Sequence, residues 1–195
     1  EAVIKQLESN APYKVVDRSR ADTILEGQIT AVNVATIDRD YQTNLPREQQ
    51  SLLFEQFLNP LVNQRTDLHG GSIDGRNLLA LEIAKATVTA IGRDRVGMRV
   101  SPYGVFNGTG AFDGVDEQYL ALARELGALK LAYLHLVDHS AMGAPEVPAA
   151  FKAKLRSAFG GTFIASGGLD RNTAEQVLKE GRGDLVAFGR DWLAN

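Results

Sequence analysis

Beyond residue 52 the chain repeats one rhythm: a short apolar run, a loop, then a segment with helical spacing. The runs are VGMRV (96–100), LAYLHLV (131–137), TFIA (162–165) and LVAF (185–188). Each is too short for a helix and largely unbroken, so each predicts a strand buried in a sheet. Between them, RNLLALEIAKATVTAI (76–91) predicts a helix with Leu79, Ile83 and Ala90 among its inward positions. Residues 116–127 predict a second helix ending at Gly127, and Phe151, Leu155 and Phe159 recur every fourth residue in a third. TAEQVLKEG (173–181) predicts a fourth, closed by its C-terminal glycine. Strands alternating with amphipathic helices predict a parallel α/β sheet, as an open sheet or a barrel.

The first 50 residues have another texture. Val3, Ile4 and Leu7 stand at helical spacing, and Asn10, Ala11 and Pro12 stop that helix. YKVV (13–16) predicts a short strand, and the alternation from Thr23 to Ile37 predicts a long half-buried antiparallel one. The polar stretch 38–50 reads as a turn or linker. The expected organisation is therefore a small α+β segment over 1–50, then an α/β domain over 53–195.

Composition narrows the class. The 195 residues are 44% hydrophobic and 23% charged, the profile of a folded soluble domain. A formal net charge of -3 supplies no field to recruit nucleic acid or an anionic membrane. Zero cysteines exclude disulfides and thiolate chemistry, and fit a reducing setting such as the cytoplasm. There is no apolar run of about 18 residues to span a bilayer. The N-terminus opens on an acid without an apolar signal region or initiator Met, so the chain is expected to be cut from something longer.

In parallel α/β folds ligands lie beyond the C-terminal ends of the strands. Arg99 stands just before one such end, and Asp138 and His139 follow the next. The third strand runs into SGGLD (166–170), and the fourth ends abruptly in Gly189 and Arg190. Glycines let an anion approach backbone N–H groups, and Arg190 adds a charge-assisted fork. Two neighbouring loops, one with Gly167 and Gly168 and one with Gly189 and Arg190, can grip one phosphate. On those loops alone, plain tight turns explain the residues as well. Arg99 shifts the balance, because a cation in a buried strand needs an anionic or electron-rich partner.

Other patterns carry less. GTGAFDG (108–114) has the wrong glycine spacing for a dinucleotide loop and fits a flexible loop better. His135, Asp138 and His139 lack a third convincing metal ligand; a packed His135 and a solvated His139 are expected. Asp113, Asp116 and Glu117 read as a loop and an acidic first turn rather than paired catalytic carboxylates. No GxSxG motif supports serine hydrolysis.

From about Leu53 onward the chain resembles the Old Yellow Enzyme family of FMN-dependent NAD(P)H ene-reductases. The matching stretches are FEQFLNPLVNQRTDLHGGS, VGMRVSPYGVFN, LAYLHLV, SGGLDRNTAEQVLKEGRGDLVAFGR and WLAN. The resemblance implies the C-terminal half of a (β/α)8 TIM barrel, with FMN as hydride carrier, NAD(P)H as reductant and an activated alkene as substrate. It implies Arg99 against the flavin ring, and Gly189 and Arg190 on the FMN phosphate, helped by the loop bearing Gly167 and Gly168.

Departures accompany the match. His69 stands where the family usually has Tyr, and Asp74-Gly75 where it usually has Glu-Asn, in a segment that reads as structural. More severely, Arg47, Gln50 and Leu52 occupy the places of the substrate-binding His pair and the proton-donating Tyr. Leu52 has no acidic hydrogen and Arg47 is a poor proton donor, so no catalytic residue is assigned. A complete barrel needs about 250 residues, so the chain supplies only the last four strands. The phrase from Pro12 to Gln50 resembles LptE-like lipopolysaccharide-assembly lipoproteins, which implies a non-catalytic envelope-assembly or binding module as the alternative. An open half barrel is expected to self-associate through its unpaired edges.

Overall fold

The computed structural model describes residues 53–106 and 108–188. The expected α+β segment, Gly189, Arg190 and Trp192 lie outside the described residues. The elements run α1 (Leu53–Leu58), α2 (Ile73–Ile91), β1 (Gly97–Val100), α3 (Val115–Ala128) and β2 (Tyr133–Val137). They continue with α4 (Ala149–Phe159), β3 (Phe163–Ser166), α5 (Arg171–Lys179) and β4 (Leu185–Ala187). All four strands are parallel and lie in sequence order, β1-β2-β3-β4. Each crossover carries a helix, as parallel neighbours require.

Burial follows the strand period of two. Met98, Val100, Leu134, Leu136 and Phe163 point to one side and join Tyr119, Leu122 and Leu126 of α3 and Phe151, Leu155 and Phe159 of α4 in one core. The predicted four-residue stripe of α4 is thus fully buried. In α2, Leu79 and Ile83 are buried as expected, whereas Ala90 is only half-buried.

The other face departs from the prediction of strands covered on both sides. Arg99 is exposed there, His135 and Ser166 are half-buried, and Leu185 at the edge is 51% exposed. Four strands cannot curl far enough to cover their own inner face; eight can.

Two helix ends are instructive. Gly181 (φ 65°) closes α5 as predicted: its N–H donates to Leu178 and that of Arg182 to Val177, which satisfies the last carbonyls. Gly127 does not end α3, which runs on to Ala128. Its lack of a side chain instead lets α3 approach α4, since a Cβ there would meet the Phe159 carbonyl oxygen at 2.2 Å.

The helix-starting turn of α2 comes from the NQRTDLHGGS segment. Ser72 caps it by accepting from the Gly75 N–H at 3.1 Å, and Asn63 donates to the carbonyls of Phe57 and His69. Buried Arg76 lies between α1 and α3, donating to the Leu58 carbonyl and to Gln118 Oε1, so its charge is met by neutral oxygens. These contacts agree with a structural role for the segment.

Gly127→Ala gains helix propensity, but the backbone clash with Phe159 outweighs it. We expect a net loss of about 1–3 kcal/mol, as for other overpacked sites, measurable by urea denaturation.

Candidate functional site

Three of the five sequence-expected binding residues fall among the described residues: Arg99 near the end of β1, and Gly167 and Gly168 just after β3. Arg99 lies on the uncovered face of β1, in register with His135 of β2. No carboxylate among the described residues lies within ion-pair distance of Arg99. The cation is therefore exposed rather than held inside a buried strand, and one face of the sheet presents it outward.

Gly167 and Gly168 form the turn after β3, with φ of 124° and 60°. Both angles favour glycine. A Cβ on Gly167 would lie 2.3 Å from the Asp138 carbonyl oxygen, and one on Gly168 would lie 2.9 Å from Ala141 Cβ. The β3 turn is thus pressed against the β2 loop. Gly189 and Arg190, the other half of the expected phosphate grip, lie outside the described residues.

Asp138 explains why the β2 loop holds its shape. Its buried carboxylate accepts from the N–H groups of Ser140 (2.9 Å) and Val147 (3.3 Å) and pairs with Lys152 at 2.7 Å. Burial opposes ionisation, but Lys152 and the Ser140 hydrogen bonds outweigh it and hold the carboxyl below its ordinary range. Sequence reasoning assigned Asp138 no role beyond a rejected ligand set; its contacts make it the organiser of this loop.

His135 points to the same face as Arg99. Its Nε2 lies 3.0 Å from Ser166 Oγ, whose hydroxyl donates to the Leu136 carbonyl. Burial, reinforced by the nearby Arg99 charge, lowers its pKa to about 4, so the imidazole is neutral at neutral pH. His139 packs edge-on against Phe106, with centroids 5.0 Å apart, and is half-buried rather than solvated. The Phe106 ring supplies cover that spacing could not reveal.

The β1–α3 loop (101–114) borders Arg99. Tyr103 has φ 65° and its hydroxyl donates to Asp116 at 2.5 Å. Burial and then that hydrogen bond raise its pKa to about 12. Glu55 of α1 accepts from the Ser101 N–H at 2.7 Å and from the Tyr119 hydroxyl. Sequence reasoning missed this carboxylate: nothing in FEQFLNP marks it, and its two partners, a neutral backbone N–H and a phenol, are supplied only by tertiary contact.

The sequence pattern of the NADH:flavin oxidoreductase / NADH oxidase family matches residues 48–195. The chain is 37% identical over 145 residues to 12-oxophytodienoate reductase 2 of Arabidopsis thaliana, covering 73% of this chain and 38% of that one. It is 34% identical over 161 residues to 12-oxophytodienoate reductase 7 of Oryza sativa subsp. japonica, covering 73% and 40%. Among solved structures, morphinone reductase superposes with a TM-score of 0.69 at 36% identity, covering 73% of this chain and 38% of that one. The chain therefore spans about two fifths of the length of these relatives. The four parallel βα units are part of a (β/α)8 barrel. The likeness of residues 1–50 to lipopolysaccharide-assembly lipoproteins is not borne out, because the matches are to reductases. Polar–apolar alternation marks any half-buried strand and identifies no particular family. Among the described residues, no helix is long and apolar enough to cross a membrane.

His135 yields a pH test. Between its unfolded pKa of 6.5 and about 4, the unfolded state binds more protons, so stability falls as pH drops through that window. The loss is at most about 3 kcal/mol, reduced by screening of the exposed part. Urea denaturation between pH 7 and pH 4 is expected to show this slope, and His135→Phe to flatten it.

Proposed function

Because the chain belongs to the NADH:flavin oxidoreductase / NADH oxidase family, we propose that it is the FMN-binding half of an Old Yellow Enzyme-type ene-reductase. The observation that carries this reading is Arg99, exposed on one face of the sheet and without a carboxylate partner among the described residues, on the same sheet as the positive-φ glycine turn after β3.

The residues present suit FMN. At Gly167 and Gly168 positive φ and close packing on the Asp138 loop support a cradle in which backbone N–H groups meet a phosphate. Gly189 and Arg190 complete that grip by their place in the sequence. When bound, FMN would carry hydride from NAD(P)H to the β-carbon of an activated alkene. Arg99 offers a fixed cation for negative charge on the ring. His135, neutral and tied to Ser166, adds no second positive charge beside it.

The remaining chemistry is impaired. Arg47, Gln50 and Leu52 do not reproduce a paired acceptor site with a phenolic proton donor. The chain binds FMN weakly and turns over little alkene, working in the cytoplasm. Its edge strands β1 and β4 lack outer partners among the described residues, and Leu185 and Phe188 are exposed. Such edges favour association with a second copy.

A fluorescence titration is expected to give micromolar FMN affinity. Arg190→Ala should weaken it roughly ten- to a hundredfold, the worth of a charge-assisted hydrogen bond. Absence of FMN binding by the unaltered chain would sink the reading. Size-exclusion chromatography is expected to show a dimer or larger species, and a monomer at every concentration would count against self-association.

A further inference from the structure

The loop that follows Arg99 is bonded at its first residue by α1 and at Gly110 by the residue just after α1, more than forty residues earlier in the chain. Glu55 of α1 accepts from the Ser101 N–H, two residues beyond Arg99, through one carboxylate oxygen at 2.7 Å. Its other oxygen accepts from the hydroxyl of buried Tyr119 in α3, the helix into which the loop runs. One carboxylate thus bridges the strand that enters the loop and the helix that leaves it. Asn59, four residues on and 5% exposed, donates to the Gly110 carbonyl at 2.8 Å and fixes the loop's second half. Its own side-chain oxygen accepts from the Leu61 N–H, so the amide cannot swing away freely.

The loop's other locks are local to it or to its neighbours. Tyr103 bonds Asp116 at the start of α3, Thr109 Oγ1 lies within bonding distance of the Phe106 carbonyl at 2.6 Å, and Phe106 packs on His139. Burial raises the Glu55 pKa, with the Tyr119 and Ser101 hydrogen bonds opposing that shift. Glu55 thus commits a half-buried carboxylate to two neutral donors, one in the loop and one in α3, where an apolar side chain would serve simple packing.

We propose that Glu55 and Asn59 are positioning residues: together they clamp loop 101–114 at Ser101 and at Gly110 and so fix Arg99 against the flavin. The flavin-facing part rests on the function proposed above. The clamp itself does not. Neither residue touches the ring; both act through the backbone that carries Arg99 and borders its face of the sheet. This replaces the sequence expectation of a flexible loop with a strapped one.

Hydrogen exchange and flavin potential on the full chain separate the possibilities. Glu55→Leu should speed exchange at Ser101 and its neighbours roughly tenfold, as loss of a charge-assisted hydrogen bond implies. Exchange in β2 and β3 should stay unchanged. Asn59→Ala should loosen the segment around Gly110 in the same way. With FMN bound, Glu55→Leu should lower the flavin reduction potential in the direction of Arg99→Met, with no further drop in the double variant. Glu55→Gln, which keeps an acceptor oxygen, should restore most of both readouts. Unchanged exchange in 101–114 would overturn the clamp, and a loosened loop with unchanged potential would overturn the positioning role. Should Glu55→Leu not fold, Asn59→Ala decides by exchange around Gly110 and by the flavin potential. A chain that binds no FMN removes the flavin-facing role along with the proposed function, while exchange still decides the clamp.

Discussion

The rest of this molecule depends on burial of one face of a parallel sheet. Met98, Val100, Leu134, Leu136 and Phe163 are all withdrawn from water against α3 and α4. Fully burying such side chains contributes about 1.5–3 kcal/mol each. Because the strands are parallel, that single packing decision also sends every strand's C-terminal end to the same side. Arg99, Asp138 and Gly167 therefore all lie toward that side, with Gly167 packed on Asp138.

Around that core, polar groups act as stitches between elements rather than as surface decoration. Arg76, Asn77 and Gln118 form one buried network joining α1, α2 and α3. Asp138 with Lys152 ties the β2 loop to α4, and Asp184 ties β3 to the start of β4 by accepting from the Phe163 N–H. Truncating one partner would strand a buried donor or acceptor, which costs more than the bond itself is worth. The loops at the strand ends therefore inherit rigidity from the layer beneath them.

The uncovered face is the counterpart of this arrangement. In a closed barrel it would be lined by eight strands; with four, Arg99 and Leu185 meet solvent. The same openness that leaves a cation available to a planar anionic ligand leaves apolar edge residues available to another chain. The FMN binding and the self-association proposed above would thus be two consequences of one open sheet face.

The apolar runs and the helical spacing by themselves determined the four strands, their parallel order and the buried stripe of Phe151, Leu155 and Phe159. Each depends on local period and on right-handed βα connectivity, both written in consecutive residues. The glycines at 167 and 168 were legible as a turn, but their packing against the Asp138 loop was not. Tertiary structure alone decided that Arg99 is exposed, that His139 packs on Phe106, that Gly127 serves helix approach rather than helix termination, and that Glu55 meets Ser101. Those outcomes depend on which distant groups share a space, and no periodicity within a segment encodes the partner that fills it.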